Sequence, residues 1–355
     1  MTASRPVVRR RRVARGMALS IVLGAVLVVG VGASSMVGQL PVSPSEVIGS
    51  LLRAMGIANG WAPDDPIVES TLWVVRFPRI VMGLMVGAAL AVAGAVMQAI
   101  FGNPLAEPGV VGVSSGAALG AAIAIAFSIT ALGNWSVAVL AFAGSLLATF
   151  IVYFVSRSGG RTEVVTLLLT GIAINAFAGA GLAFVLFMGS SSSREQIVFW
   201  QLGSLNGARW SEALLVAVVC VLGAAVAAAF GRRYDLLALG ERNARHLGVN
   251  VEGLRMASIL LVALLTGIGV AFVGIISFVG LVVPHIIRMA IGPAHRPLII
   301  ASAFGGGALL VVADLLTRVL IAGADLPIGM LTSLVGGPFF FFLLFRQRRR
   351  SGGWA

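Results

Sequence analysis

The sequence predicts an all-α polytopic membrane protein with ten transmembrane helices, and three observations predict it. Of 355 residues, 59% are hydrophobic and only 11% charged, far from the balance of a water-soluble domain. Uncharged runs of about 20 residues recur along the chain, each long enough as a helix to cross a hydrocarbon core of roughly 30 Å. Arginines collect at the ends of these runs with a bias that fixes an orientation.

Taken in order, Met1 to Gly16 holds six arginines and precedes the uncharged run Met17 to Gly38. A cleaved signal peptide competes for this segment, helped by the small residues Gly32 to Ser35. The run is longer than the roughly 7–15 residues of a signal's apolar region, which favours a first transmembrane helix. Further runs lie near 78–101, 110–129, 135–155, 164–188, 213–230, 256–276, 278–291, 297–321 and 328–345. The run FVGLVVPHIIRMAI at 278–291 is short and carries Pro284, His285 and Arg288, which suits a re-entrant or broken segment. Arginine-rich termini both on the cytoplasmic side require an even number of crossings, hence ten; 19 of the 25 arginines then fall inside. The chain divides into a cytoplasmic tail at 1–16, a membrane domain at 17–345 and a second cytoplasmic tail at 346–355.

Two segments outside the spans are long enough to matter. Gln39 to Phe77 contains PVSPSEVIGSLLRAMG, with Ser45 expected as a helix N-cap, and then a turn at APDDP. On the cytoplasmic side, 231–255 reads GRRYDLLALGERNARHLGVNVEGLR, a short helix, a glycine and a second helix. Leu236, Leu237, Leu239 and Leu247 would be wasted in water, so a surface for a cytoplasmic partner competes with a solvated connector.

Composition narrows the chemistry. Every basic residue is arginine, and without lysine there is no Walker A loop, so any coupling to ATP must come from a partner. The basic excess follows the inside ends of the spans, not a nucleic-acid surface. Cys220 stands alone in an apolar run, which leaves no disulfide framework and no cysteine-based metal site.

GVSSG at 112–116 matches G-x-S-x-G, but at the start of a membrane helix and not in the strand, turn and helix of a nucleophile elbow. His246, His285 and His295 are all assigned to the cytoplasmic side, so Ser114 and Ser115 read as packing residues. His285 and His295 with Arg288 compete as a metal site or proton relay, but no carboxylate lies near them in sequence, which favours groups facing water or headgroups. Asp314 and Arg318 are spaced for an intrahelical pair. Arg318 lies toward the outer end together with Arg76 and Arg79 of RFPR, either as interfacial anchors or as a docking ring. Small residues every four positions, Gly83, Gly87, Ala91, Ala95 and Ala99, then Gly112, Gly116 and Gly120, give flat faces for close helix packing.

RFPR at 76–79, GAALAVAGAVMQAIFGNPLAEPGVVGVSSGAALG at 87–120, LLALGERNARHLGV at 236–249, FVGLVVPHIIR at 278–288, ADLLTR at 313–318 and DLPIGMLTSLVGGPFFFFLL at 325–344 together resemble the FecCD-type permeases. These are membrane subunits of type II ABC importers for ferric siderophores, haem and cobalamin. The resemblance implies a ten-span permease fold, paired with a second permease copy, with the pathway between the two. It also implies a cytoplasmic ABC ATPase dimer, an extracytoplasmic substrate-binding lipoprotein, and residence in a bacterial cytoplasmic membrane with both termini inside.

By the same resemblance Leu239, Gly240, Glu241, Ala244, Leu247 and Gly248 contact the ATPase. Arg76, Arg79 and Arg318 dock the binding protein, and Asn103 and Leu105 form the cytoplasmic gate. The fifth span would line the pathway, although its start, RTEVVTLLLTG, departs from the Ser/Thr-rich start of the cobalamin importer. No catalytic residue, metal site or cofactor is expected on this chain, ATP and Mg belonging to the ATPase. The loop at 193–210 resembles that of haem-importer-like members, placing haem ahead of ferric siderophore and cobalamin third. An ion-coupled secondary transporter is the rival from another class, and it needs an intramembrane carboxylate or histidine relay.

Overall fold

The computed structural model describes residues 5–158, 161–321 and 325–350. The first four residues of the expected N-terminal tail and the last five of the C-terminal tail lie outside the described residues.

The long apolar runs fold as helices because in lipid a helix alone satisfies its own backbone polar groups. In chain order they are α1 (Arg5–Met36), α2 (Pro44–Ala54), α3 (Pro66–Ser70), a π-helical turn (Thr71–Arg76), α4 (Phe77–Phe101) and α5 (Val113–Ala126). Next come α6 (Ser136–Val155), the two-residue strands β1 (Arg157–Ser158) and β2 (Arg161–Thr162), α7 (Val164–Met188), α8 (Ser191–Leu202) and α9 (Trp210–Leu237). The chain finishes with α10 (Glu241–His246), α11 (Val251–Val273), α12 (Val279–Ile291), α13 (His295–Val319) and α14 (Ile328–Arg350). Strands β1 and β2 form one antiparallel hairpin, the only strands among the described residues.

Seven helical stretches among the described residues are long and apolar enough to cross a membrane: 16–36, 66–101, 133–155, 164–188, 210–237, 251–273 and 295–319. The other three expected spans coincide with the shorter apolar helices α5, α12 and 328–343 of α14.

Helix α4 is the centre of the bundle. Every residue from Val86 to Ile100 is buried, and the helix packs against α9, α11, α12 and α13. Lipid gives no hydrophobic drive to bring helices together, so close backbone approach has to do it. A Cβ at Gly87 would lie 2.2 Å from the carbonyl oxygen of Gly306, and one at Gly94 only 1.8 Å from that of Gly280. Gly116 meets Gly144 of α6 in the same way, at 2.3 Å. The four-residue spacing of small residues is a packing face on both α4 and α5.

Several local expectations are corrected. The cap of α2 is Ser43, not Ser45: Glu46 N–H donates to Ser43 Oγ (3.3 Å) and Ser43 N–H donates to Glu46 Oε2 (2.8 Å). Glutamate stands three residues after Ser43 but not after Ser45, so only Ser43 completes a reciprocal capping box, with Pro44 at the first helical position. Helix α4 is ended by Gly102 in the left-handed region (φ 60°), ahead of Pro104. Helix α5 starts from Gly112 (φ 82°). The stretch GRRYDLL continues α9, so the short cytoplasmic helix is α10 alone.

Candidate functional site

Three polar groupings stand out, at opposite ends of the bundle. At the α2 end, the π-helical turn and the first turn of α4 bring Arg76 and Arg79 inward, to 4% and 8% exposure. Arg76 donates to the carbonyls of Ser35, Met36 and Leu40, the unsatisfied C-terminal acceptors of α1 and the chain after it. Arg79 Nε donates to both oxygens of Asp314 (3.0 and 3.1 Å), Nη2 lies 3.0 Å from Asp314 Oδ1, and Nη1 reaches Asp325 Oδ2 at 3.1 Å. Arg318 Nε lies 3.4 Å from Asp314 Oδ2, one turn away, and its other nitrogens donate to Ser34 and Val37.

Asp314 is 2% exposed, and the two guanidiniums around it supply the hydrogen bonds and counter-charge that a buried carboxyl group needs. The expected i, i+4 pair with Arg318 is present. The links from Arg79 to Asp314 and Asp325 span 235 and 246 residues, and local spacing carries no trace of them. None of the three arginines presents its charge to the open surface in this conformation.

At the opposite end, Gly240 (φ 99°) and Gly248 (φ 84°) supply the left-handed corners that let α10 leave α9 and turn into α11. Ala244 is fully buried and seats α10 on the bundle, while Leu239 and Leu247 are 59% and 58% exposed. Leu236 and Leu237 instead pack into the core. Glu241 begins α10 and bonds Arg255 of α11, with Arg245 at 3.4 Å on its other side.

Between α4 and α5 runs the turn that holds Asn103 and Leu105. Asn103 Oδ1 accepts from Leu105 N–H (2.9 Å), a side-chain turn of the kind asparagine favours. Helix α7 buttresses the 3₁₀ turn Pro108–Val111 that follows: Asn175 Nδ2 donates to Gly109 O (3.3 Å), and a Cβ at Gly171 would lie 1.9 Å from Val110 O. Ser115 Oγ donates to Asn175 Oδ1 (2.6 Å), so the GVSSG serine serves helix packing. Glu107 is half-buried beneath the turn with the N–H of Phe278, the cap of α12, at 3.5 Å. Burial pushes its carboxyl above the usual glutamate range, and the Phe278 N–H offsets part of that.

Helix α12 is continuous through Pro284. Proline cannot donate to Gly280 four residues back, and Gln98 Nε2 of α4 approaches that carbonyl at 3.4 Å instead. The other end of the Gln98 amide accepts from Arg288 Nη2 (3.0 Å). His295 Nδ1 lies 2.8 Å from Asp235 Oδ1 of α9, a carboxylate partner that sequence proximity did not offer. Among the described residues no three His, Cys, Asp or Glu side chains gather as metal ligands.

Comparison with known proteins adds three findings. A model of the FecCD transport family matches residues 25–346. The hemin transport system permease HmuU of Yersinia pestis is 45% identical over 277 residues, 76% of this chain and 81% of that protein. The cobalamin import system permease BtuC of Halobacterium salinarum is 43% identical over 267 residues, 75% of this chain and 71% of that one. Among solved structures, a chain described as part of a metal-chelate type ABC transporter in an inward-facing conformation superposes with a TM-score of 0.80. It is 29% identical and covers 92% of this chain and 98% of that one.

Proposed function

The chain belongs to the FecCD transport family, and on that premise we propose that it is the permease subunit of an ATP-driven importer for an iron complex, haem or a ferric siderophore. Its place is the cytoplasmic membrane of a bacterium, with both termini inside and α5, α12 and α14 completing ten spans. The observation that carries ATP coupling is α10, a short helix seated by buried Ala244 and flanked by two leucines left in the open, on a chain with no lysine for a nucleotide loop of its own. Leu239, Gly240, Glu241, Ala244, Leu247 and Gly248 form the contact with a cytoplasmic ATPase dimer.

ATP binding closes that dimer, α10 moves with it, and the turn at Asn103 and Leu105 opens or shuts the inner end of the pathway. A second copy packs along α7. The exposed small residues Ala173, Ala176 and Ala180 lie there at helical spacing, which in lipid supports helix contact. An extracytoplasmic binding lipoprotein docks at the α2 end. Arg79 receives it by exchanging Asp325, at 38% side-chain exposure the outermost member of the network, for a carboxylate of the partner. Arg76 and Arg318 shape the rim.

Haem stands first because 193–210 resembles the haem-importer loop, and cobalamin is the second reading, favoured by the identity to the halobacterial permease. Asp314, the carboxylate that an ion-coupled transporter would use, is engaged by Arg79 and Arg318, which weighs against that class. Proteoliposomes carrying the chain, its ATPase and its binding protein, offered haem, ferric siderophore and cobalamin side by side, should accumulate one class only with ATP. Uptake that ignores a hydrolysis-dead ATPase but collapses with a proton uncoupler sinks the importer reading.

A further inference from the structure

We infer that Arg255 is a positioning residue that ties the ATPase-facing helix α10 to the start of α7, and through α7 to the inner gate turn. The inference rests on the importer reading above. Arg255 is 6% exposed and makes two bonds in opposite directions: Nη2 donates to Glu241 Oε1 at the first residue of α10, and Nη1 donates to the carbonyl of Thr162 (3.1 Å). A cleft of about 740 Å³, lined by Thr162, Glu163, Val164, Gly240 and Glu241, lies between those two elements, with Arg255 in its wall.

Thr162 is the last residue of β2, two before α7 begins. Glu252, one turn before Arg255 on α11, accepts from both its N–H (3.0 Å) and its hydroxyl. Both backbone polar groups of Thr162 are therefore held by α11. Losing either of its bonds would strand part of a buried guanidinium charge, so Arg255 resists independent movement of α10 and the hairpin. From Val164 onward α7 is one continuous helix, and 7 to 11 residues along, Gly171 and Asn175 press on Val110 and Gly109, in the 3₁₀ turn Pro108–Val111 that follows the Asn103 and Leu105 turn toward α5. The contiguous series is Glu241, Arg255, Thr162, α7 and the gate turn. Such a series becomes coupling only when movement at one end is read at the other.

Hydrogen–deuterium exchange on the reconstituted complex of permease, ATPase and binding protein, with and without a non-hydrolysable ATP analogue, reads both ends. In the wild type the analogue should change exchange at both 239–248 and 162–167. In Arg255→Gln the change at 239–248 should persist while that at 162–167 falls several-fold, and haem transported per ATP hydrolysed should fall with it. Glu241→Gln, on a side chain 44% exposed and so tolerated by the fold, should move both readouts the same way by less. Arg255→Lys, which keeps the charge but not the two-directional fork, should fall between wild type and Arg255→Gln.

An unchanged response at 162–167 in both Arg255→Gln and Glu241→Gln overturns the inference. So does a wild-type complex in which 239–248 responds and 162–167 does not. If the ATPase leaves 239–248 untouched in the wild type, the importer reading itself fails, and the relay with it.

Discussion

Arg79 and Asp314, 235 residues apart in the chain, are joined inside the bundle by hydrogen bonds of 3.0 and 3.1 Å from one guanidinium nitrogen, with both side chains under 10% exposed. Arg318 closes on the same carboxylate from one turn along α13. Removing the shared anion strands two buried cations, so Asp314→Asn should cost about 3–5 kcal/mol. Asp325→Asn, nearer to water, should cost about 1 kcal/mol or less. Thermal unfolding of the purified chain in detergent compares them, and equal losses would show that burial does not set the scale here.

Asp325 also competes with any carboxylate brought by a docking partner. Asp325→Ala should free Arg79 Nη1 and tighten capture of the binding protein by about fivefold, the equivalent of about 1 kcal/mol. The gain should be larger at low salt, because an ion pair at the rim is screened. Binding measured across a salt series decides the matter; weaker capture would mean that Asp325 belongs to the docking surface itself.

The close contact of α4 with α12 predicts a sharp contrast between two glycines. Gly94→Ala drives a methyl to within 1.8 Å of the Gly280 carbonyl oxygen, and should cost about 1–3 kcal/mol or more. Gly179→Ala on α7 meets nothing within 4 Å and should leave the single chain as stable as before. Loss of permease pairing in Gly179→Ala, with monomer stability intact, would place the second copy on α7.

What could be read in advance follows from which forces act locally. Charge-poor runs located the long helices, since desolvation of charge in lipid is expensive wherever it occurs. The pair of Asp314 with Arg318 was legible because a helix brings i and i+4 together. Arg79 with Asp325, and His295 with Asp235 60 residues away, depend on how helices cross, and no local pattern records that. Pro284 announced that one carbonyl would lack its helical donor, yet only the α4–α12 contact brings Gln98 to it. The cap of α2 is Ser43 and not Ser45 because the glutamate three residues on, not the serine alone, completes the box.

Glu107 predicts a pH dependence. Its folded-state pKa is raised by burial, so the folded chain favours the neutral carboxyl. That contribution is fully present below the unfolded-state value and is lost as pH rises through the raised one. Wild-type stability should therefore decline as pH rises past the unfolded-state glutamate value, relative to Glu107→Gln, which has no charge to bury. Parallel stability profiles for the two proteins would show that the carboxyl titrates without cost beneath the turn.

Leu239 and Leu247 offer the most direct assay of the cytoplasmic end. Both are more than half exposed, so Leu239→Asp with Leu247→Asp should change the stability of the chain by no more than about 0.5 kcal/mol per site. Against an ATPase they would place two carboxylates in an apolar contact, where a desolvated unpaired charge costs far more than the leucine contributed. Co-purification with the ATPase should disappear while the permease still elutes as a folded species. Ala244→Asp is the contrasting control: its side chain is buried against the bundle, so it should unfold α10 and lower stability as well as assembly. A double aspartate variant that still assembles would move the ATPase contact off α10.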